Sequence, residues 1–142
     1  MNLSSVKERL LELGKTIGLQ VHEETAQSVI LHSQITAKDF FESSIYCRLV
    51  VYASGTFHMF LTFDEIEKTY DNLFLINTFN ADSPWFKAYV ANINDKDFLE
   101  LHYSVLALKT EDEIIDSVGF LLNNLLEEET LKNLRPILNN DK

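Results

Sequence analysis

Residues 45–63 read IYCRLVVYASGTFHMFLTF, and this stretch decides the fold. From Ile45 to Ala53 and from Thr56 to Phe63 the side chains alternate, and Ser54 with Gly55 supplies a two-residue turn between the two runs. The pattern predicts a β-hairpin. Because strand side chains alternate, Ile45, Cys47, Leu49 and Val51 share one face and Tyr46, Arg48, Val50 and Tyr52 the other. On the next strand Phe57, Met59, Leu61 and Phe63 form the core set, leaving Thr56, His58, Phe60 and Thr62 opposite.

Upstream, Leu19–Glu23 and Ser28–Gln34 read as short strands, with Thr36–Ser43 interrupting them. Before them, Val6, Leu10, Leu13 and Ile17 recur at helical spacing behind a capping box of Ser5 and Glu8, and Gly18 ends the helix. Downstream, Tyr70, Leu73, Phe74 and Asn77 line one side of a helix running to about Asn80, which Asp82, Ser83 and Pro84 break. A second hairpin follows over Trp85–Ile93 and Phe98–Leu108, joined by Asn94, Asp95, Lys96 and Asp97. Thr110 and Glu113 then cap a helix whose apolar face is Ile114, Ile115, Val118, Leu121, Leu122, Leu125 and Leu126. Glu127–Glu129 interrupt that face, and Leu131, Leu134, Ile137 and Leu138 predict a last short helix disturbed at Pro136. The order α-β(β)ββ-α-ββ-α(α) is that of an α+β fold, an antiparallel sheet with helices packed on one face, over a single domain of residues 1–142.

Parity on the second hairpin sets Leu99, Leu101, Tyr103 and Val105 toward the helices, with Glu100, His102 and Ser104 opposite; Trp85, Lys87 and Tyr89 oppose Phe86, Ala88 and Val90. The helix-free face is therefore expected to carry Tyr46, Arg48, Val50, Tyr52, His58, Phe60, Trp85, Tyr89 and His102. Tyr46, Arg48, Tyr52, Phe60, Trp85 and Tyr89 are the candidate protein-binding residues, because Tyr, Trp and Arg are enriched at binding hot spots. The alternative is that a loop, or the strand at Ser28–Gln34, covers these rings.

Composition bounds the function. The 142 residues hold 22 Asp plus Glu against 12 Lys plus Arg, a net charge of −10 that repels phosphate backbones and disfavours nucleic-acid binding. The single Cys47 sits in an apolar run, as a small core hydrophobe does, and a reducing cytoplasm is its natural setting. Charged residues interrupt the apolar positions of Met1–Ile17, and no segment approaches a membrane span, so neither a cleaved signal nor membrane embedding is expected.

No catalytic or metal-binding motif stands out. His22, His32, His58 and His102 fall in no metal-ligand spacing, although His58 and His102 would share the open face. The glycines at 14, 18, 55 and 119 are too dispersed to cradle a nucleotide and suit a helix end, a turn and close helix packing. No serine sits in a nucleophile elbow. The acids Glu111, Asp112, Glu113 and Asp116 suit a helix N-terminus, and Asn94, Asp95 and Asp97 lack the Gly and Glu of a calcium loop. No catalytic residue, cofactor or metal is expected.

With its elements in order, the chain resembles the YbjN family and the wider group sharing the fold of type III secretion chaperones. The resemblance spans about Val6 to Leu126 and is carried by Leu75-Ile76-Asn77-Thr78-Phe79-Asn80, a helix end leading into an aromatic-rich strand, and by Phe98–Leu106 followed by the Thr110 helix. The run Leu19–Val21 and the tail after Glu127 depart from the pattern. The resemblance implies a non-enzymatic protein that binds another polypeptide, in many cases as a homodimer, and it transfers no catalytic residue.

Three functions follow. The first is a protein-binding or chaperone-like module using the aromatic face or an unpaired sheet edge. The second is an acidic inhibitor or nucleic-acid mimic of the kind mobile elements encode, since residues 110–142 carry eight acids against three bases, half of the chain's net charge. The third is a small-molecule binder or an enzyme of unrecognised type with a pocket bearing His58 or His102.

Overall fold

In the computed structural model, which describes residues 1–36, 44–83, 85–125 and 128–139, the hairpin of residues 45–63 forms the middle of a six-stranded sheet. The strands are β1 (Gln20–Glu24), β2 (Ser28–Ile35), β3 (Ile45–Tyr52), β4 (Phe57–Glu65), β5 (Lys87–Ile93) and β6 (Lys96–Val105). They lie in the order β1-β2-β3-β4-β6-β5, and every neighbouring pair is antiparallel. The helices are α1 (Leu3–Leu13), α2 (Tyr70–Asp82), α3 (Glu111–Leu125) and α4 (Glu128–Asn139). The expected architecture is the observed one.

Alternation sorts the sheet as expected. Ile45, Cys47, Leu49, Val51, Phe57, Met59, Leu61 and Phe63 are buried, as are Leu99 and Leu101, and they meet Val6, Leu10, Ile114, Val118 and Leu121 from the helices. Burying a side chain of this size contributes roughly 1.5–3 kcal/mol. Ser33, which also faces the core, gives its hydroxyl to the carbonyl of Ile17, so the buried polar group has a partner.

Local details differ from the expectations. The β3–β4 loop has three residues, since Tyr52 donates to Thr56 across it and Gly55 lies at φ 90°. Only glycine serves here, because a Cβ at position 55 would lie 1.9 Å from the Leu108 carbonyl oxygen. The β5–β6 loop has two residues, Asn94 and Asp95, both at positive φ, the geometry that matches strand twist. The cap of α1 is Asn2, whose side chain accepts from the Ser5 amide; the Ser5 hydroxyl instead donates to Glu111 on α3. That helix ends at Gly14, and a separate 3-10 turn over Lys15–Ile17 reaches Gly18. Thr110 caps α3 as expected, accepting from the Glu113 amide. Pro136 lies inside α4, which continues to Asn139 with Leu134, Ile137 and Leu138 buried around it. Most of the interrupting stretch Thr36–Ser43 lies outside the described residues, as does Glu127.

The packed side of α2 is not the apolar side read from Tyr70, Leu73 and Phe74. Asn72, Ile76 and Phe79 are buried, while Tyr70 is 93% and Phe74 70% exposed. This helix has apolar residues on both sides, and Asn72 wins the inner one by donating its side-chain amide to the Glu67 carbonyl at 2.7 Å. At the other end, Asn80 brackets Ala88 of edge strand β5, accepting from its amide at 2.6 Å and donating to its carbonyl at 2.9 Å. The outer hydrogen-bonding groups of β5 are thus occupied at that point.

Candidate interaction face

No described helix covers the far side of the sheet, where antiparallel register builds three cross-strand rows. The central row is His32, Arg48, Phe60, His102 and Lys87. Beside it run Gln34, Tyr46, Thr62, Glu100 and Tyr89 on one flank and Ile30, Val50, His58 and Ser104 on the other. Tyr52 stands at the end of β3, paired with Ser28. Five expected residues, Tyr46, Arg48, Tyr52, Phe60 and Tyr89, therefore share this face. The strand at Ser28–Gln34 lies beside the rings within the same sheet and does not cover them.

Trp85 is not among them. It precedes the first residue of β5, where strand parity does not apply, and its ring packs edge-on against Phe120 of α3 at 4.7 Å. It belongs to the helix side of the molecule.

Side chains on the open face engage one another. The Arg48 guanidinium sits 4.5 Å above the Phe60 ring, and Phe60 stacks on His102 at 4.5 Å with planes 8° apart. A cation over a ring contributes roughly 0.5–2 kcal/mol. The contact leaves Arg48 Nε buried without a hydrogen-bond acceptor. His58 Nδ1 and His102 Nε2 are 3.1 Å apart, one donating to the other, and the Tyr52 ring meets His58 edge-on. Burial, followed by the neighbouring His58, lowers the His102 pKa from the ordinary 6.5, with Glu100 opposing.

On the flank of Tyr46 and Tyr89, Glu100 is only 7% exposed and accepts from Thr62 at 3.3 Å. Tyr89 hydrogen-bonds to it, and burial, then the Glu100 charge, pushes the phenol up to about 12, with Arg48 opposing. At the β1–β2 end, His22 and His32 rings lie 4.6 Å apart and His32 Nδ1 is 2.8 Å from the Tyr46 hydroxyl. All four histidines of the chain therefore lie on this side of the sheet. Alternation along β2 sets His32 opposite Leu31 and Ser33, whereas the placing of His22 depends on the bulge after Val21 in β1, which has no local signal.

Among the described residues no three His, Cys, Asp or Glu side chains converge as metal ligands. Cys47 is buried on the core side, where desolvation pushes its thiol up to about 12. Such a thiol is a poor nucleophile. No helix among the described residues is long and apolar enough to cross a membrane. The face offers stacked rings, one guanidinium and a buried carboxylate, a surface chemistry suited to holding another molecule.

Comparison with known proteins supports the fold. No protein-family model matches the chain, and no curated protein is significantly similar to it. Among solved structures it is similar to YbjN from E. coli, described as a candidate transcription regulator, with a TM-score of 0.56 at 15% identity, covering 99% of this chain and 93% of that one. The expected YbjN-like fold is thus found, and at this identity the likeness concerns the fold alone.

Proposed function

We propose that the chain is a non-enzymatic, chaperone-like protein-binding module whose partner, another polypeptide or a second copy of the chain, docks on the open face of the sheet. One observation carries the reading: Tyr46, Arg48, Tyr52, Phe60 and Tyr89 stand together on a sheet face that no described helix covers. Rings and a guanidinium on a broad surface are the chemistry of hot spots, where desolvation of a few side chains supplies most of the affinity. A cytoplasmic setting goes with the reading, since Cys47 is a buried, unpaired thiol. Any regulatory role of the kind suggested for the E. coli protein would act here through protein contact, because a net charge of −10 opposes approach to a phosphate backbone.

The acidic-mimic reading is weaker. On the surface, Glu111 and Asp112 pair with Arg9 of α1, at 3.5 and 2.7 Å, so a base of the same chain offsets part of the charge a basic partner would meet.

The test is a double variant, Tyr52→Lys with Phe60→Lys, compared with wild type for association state by light scattering and for specific capture of a host protein. Capture by the wild type should survive 1 M salt, where the Debye length is about 3 Å. The variant should lose both capture and self-association while keeping its circular dichroism. The single variant Tyr52→Lys, at an exposed position, covers the case in which the double variant unfolds. A folded variant with unchanged capture and association would overturn the reading, and capture lost in salt would return the argument to the acidic surface.

A further inference from the structure

On the helix side, independent of the open face, lies a cleft of about 320 Å³ between the start of β5, β6 and α3, lined by Trp85, Tyr103, Asp116, Ser117, Phe120 and Leu121. We propose that it binds a quaternary ammonium head group. Trp85 is 37% and Phe120 46% exposed, and their rings meet edge to face with planes 83° apart, leaving ring surface open to the cleft. Tyr103, which stands against Phe86 at 6.2 Å, adds a third ring. Aromatic faces are electronegative and attract cations, tryptophan most strongly.

The charge agrees with the rings. Asp116 lies one helical turn before Phe120, so both project from the same side of α3. Among the described residues the lining holds this carboxylate and no base. Lys87, two residues beyond Trp85, has its ammonium engaged by the carbonyls of Asn80 and Ser83 at 2.9 and 3.1 Å.

The donor count selects the kind of cation. A primary ammonium brings three N–H donors and a guanidinium five, whereas the lining side chains offer as strong acceptors only the Asp116 carboxylate and the Ser117 hydroxyl, with Tyr103 a weaker one. A quaternary ammonium has no donor to satisfy and exchanges a loose hydration shell for the rings. The volume is at the small end of ligand pockets, roughly 300–1,000 Å³, which suits a head group and little more.

Trp85 is the single tryptophan of the chain, so its fluorescence reports on the cleft directly. The full chain is titrated with choline chloride, with N-acetyl-trimethyllysine methylamide, and with the neutral isostere 3,3-dimethylbutanol, against matched sodium chloride. The expected result is a saturable emission change with one or both cations and none with the isostere; the tighter cation identifies a free head group or a methylated side chain as the source. Asp116→Asn, an exposed substitution that leaves the core intact, should weaken binding about fivefold, the upper end for an exposed charge pair. Phe120→Leu should abolish it with unchanged circular dichroism. No saturable change with either cation overturns the proposal, as does equal binding of the isostere or an Asp116→Asn variant that binds as tightly as wild type.

Discussion

Substituting Asn80 by alanine removes the pair of hydrogen bonds that ties the end of α2 to β5, at 2.6 Å from the Ala88 amide and 2.9 Å to its carbonyl. Each such bond contributes a net 0.5–1.5 kcal/mol, and a buried group left without a partner costs more, so the expected loss is about 2–3 kcal/mol. For a chain of this length that lowers Tm by about 10 °C. Urea unfolding would read it as a lower midpoint at unchanged slope. Asn80→Asp keeps the acceptor for the Ala88 amide but sets a second carboxylate oxygen against the Ala88 carbonyl, so it should lose most of the stabilisation at unchanged size; this separates hydrogen bonding from packing. The backbone carbonyl of Asn80 still receives Lys87 in both variants, so the end of the helix is otherwise unchanged. A loss below about 0.5 kcal/mol in the alanine variant would refute the bracket as a stabilising element. Free groups on β5 should also raise self-association at high concentration, measurable by light scattering.

Gly55→Ala combines left-handed strain with a Cβ 1.9 Å from the Leu108 carbonyl and should cost about 3 kcal/mol. Gly18→Ala has similar strain, at φ 72°, but open space around it, and should cost about 1 kcal/mol; similar losses for the two in chemical denaturation would sink the steric argument. For His102, whose folded pKa is lowered, the unfolded chain binds the proton first as pH falls, so stability should decline from about pH 6.5 down to that lowered value. Burial and then the neighbouring His58 set this slope, with Glu100 opposing, and His102→Gln should flatten it in denaturation curves taken at successive pH values; an unchanged slope would place its origin elsewhere.

Much of the face is legible in the sequence, because period-two alternation is a local property. Tyr46, Arg48 and Tyr52 had to oppose Cys47, Leu49 and Val51 wherever the strand paired. Trp85 shows the limit of that argument: parity counted backward from Lys87 put it with Tyr89, yet the strand had not begun and Phe120 captured the ring. Helix α2 shows a second limit. Its apolar residues surround the axis, so periodicity named Tyr70 and Phe74 while contacts with β5 and α4 selected Ile76 and Phe79.

By itself the sequence determined the strands, the places of the turns, the capping Thr110 and the two sides of each central strand, since φ/ψ preference and alternation act between near neighbours. Only the tertiary structure decided that β6 inserts between β4 and β5, which brings His102 against His58 and stacks it on Phe60. Those contacts join residues up to 44 positions apart. Strand order is chosen by the burial of the whole core and the loop entropy it must offset, and neither is written in any local stretch.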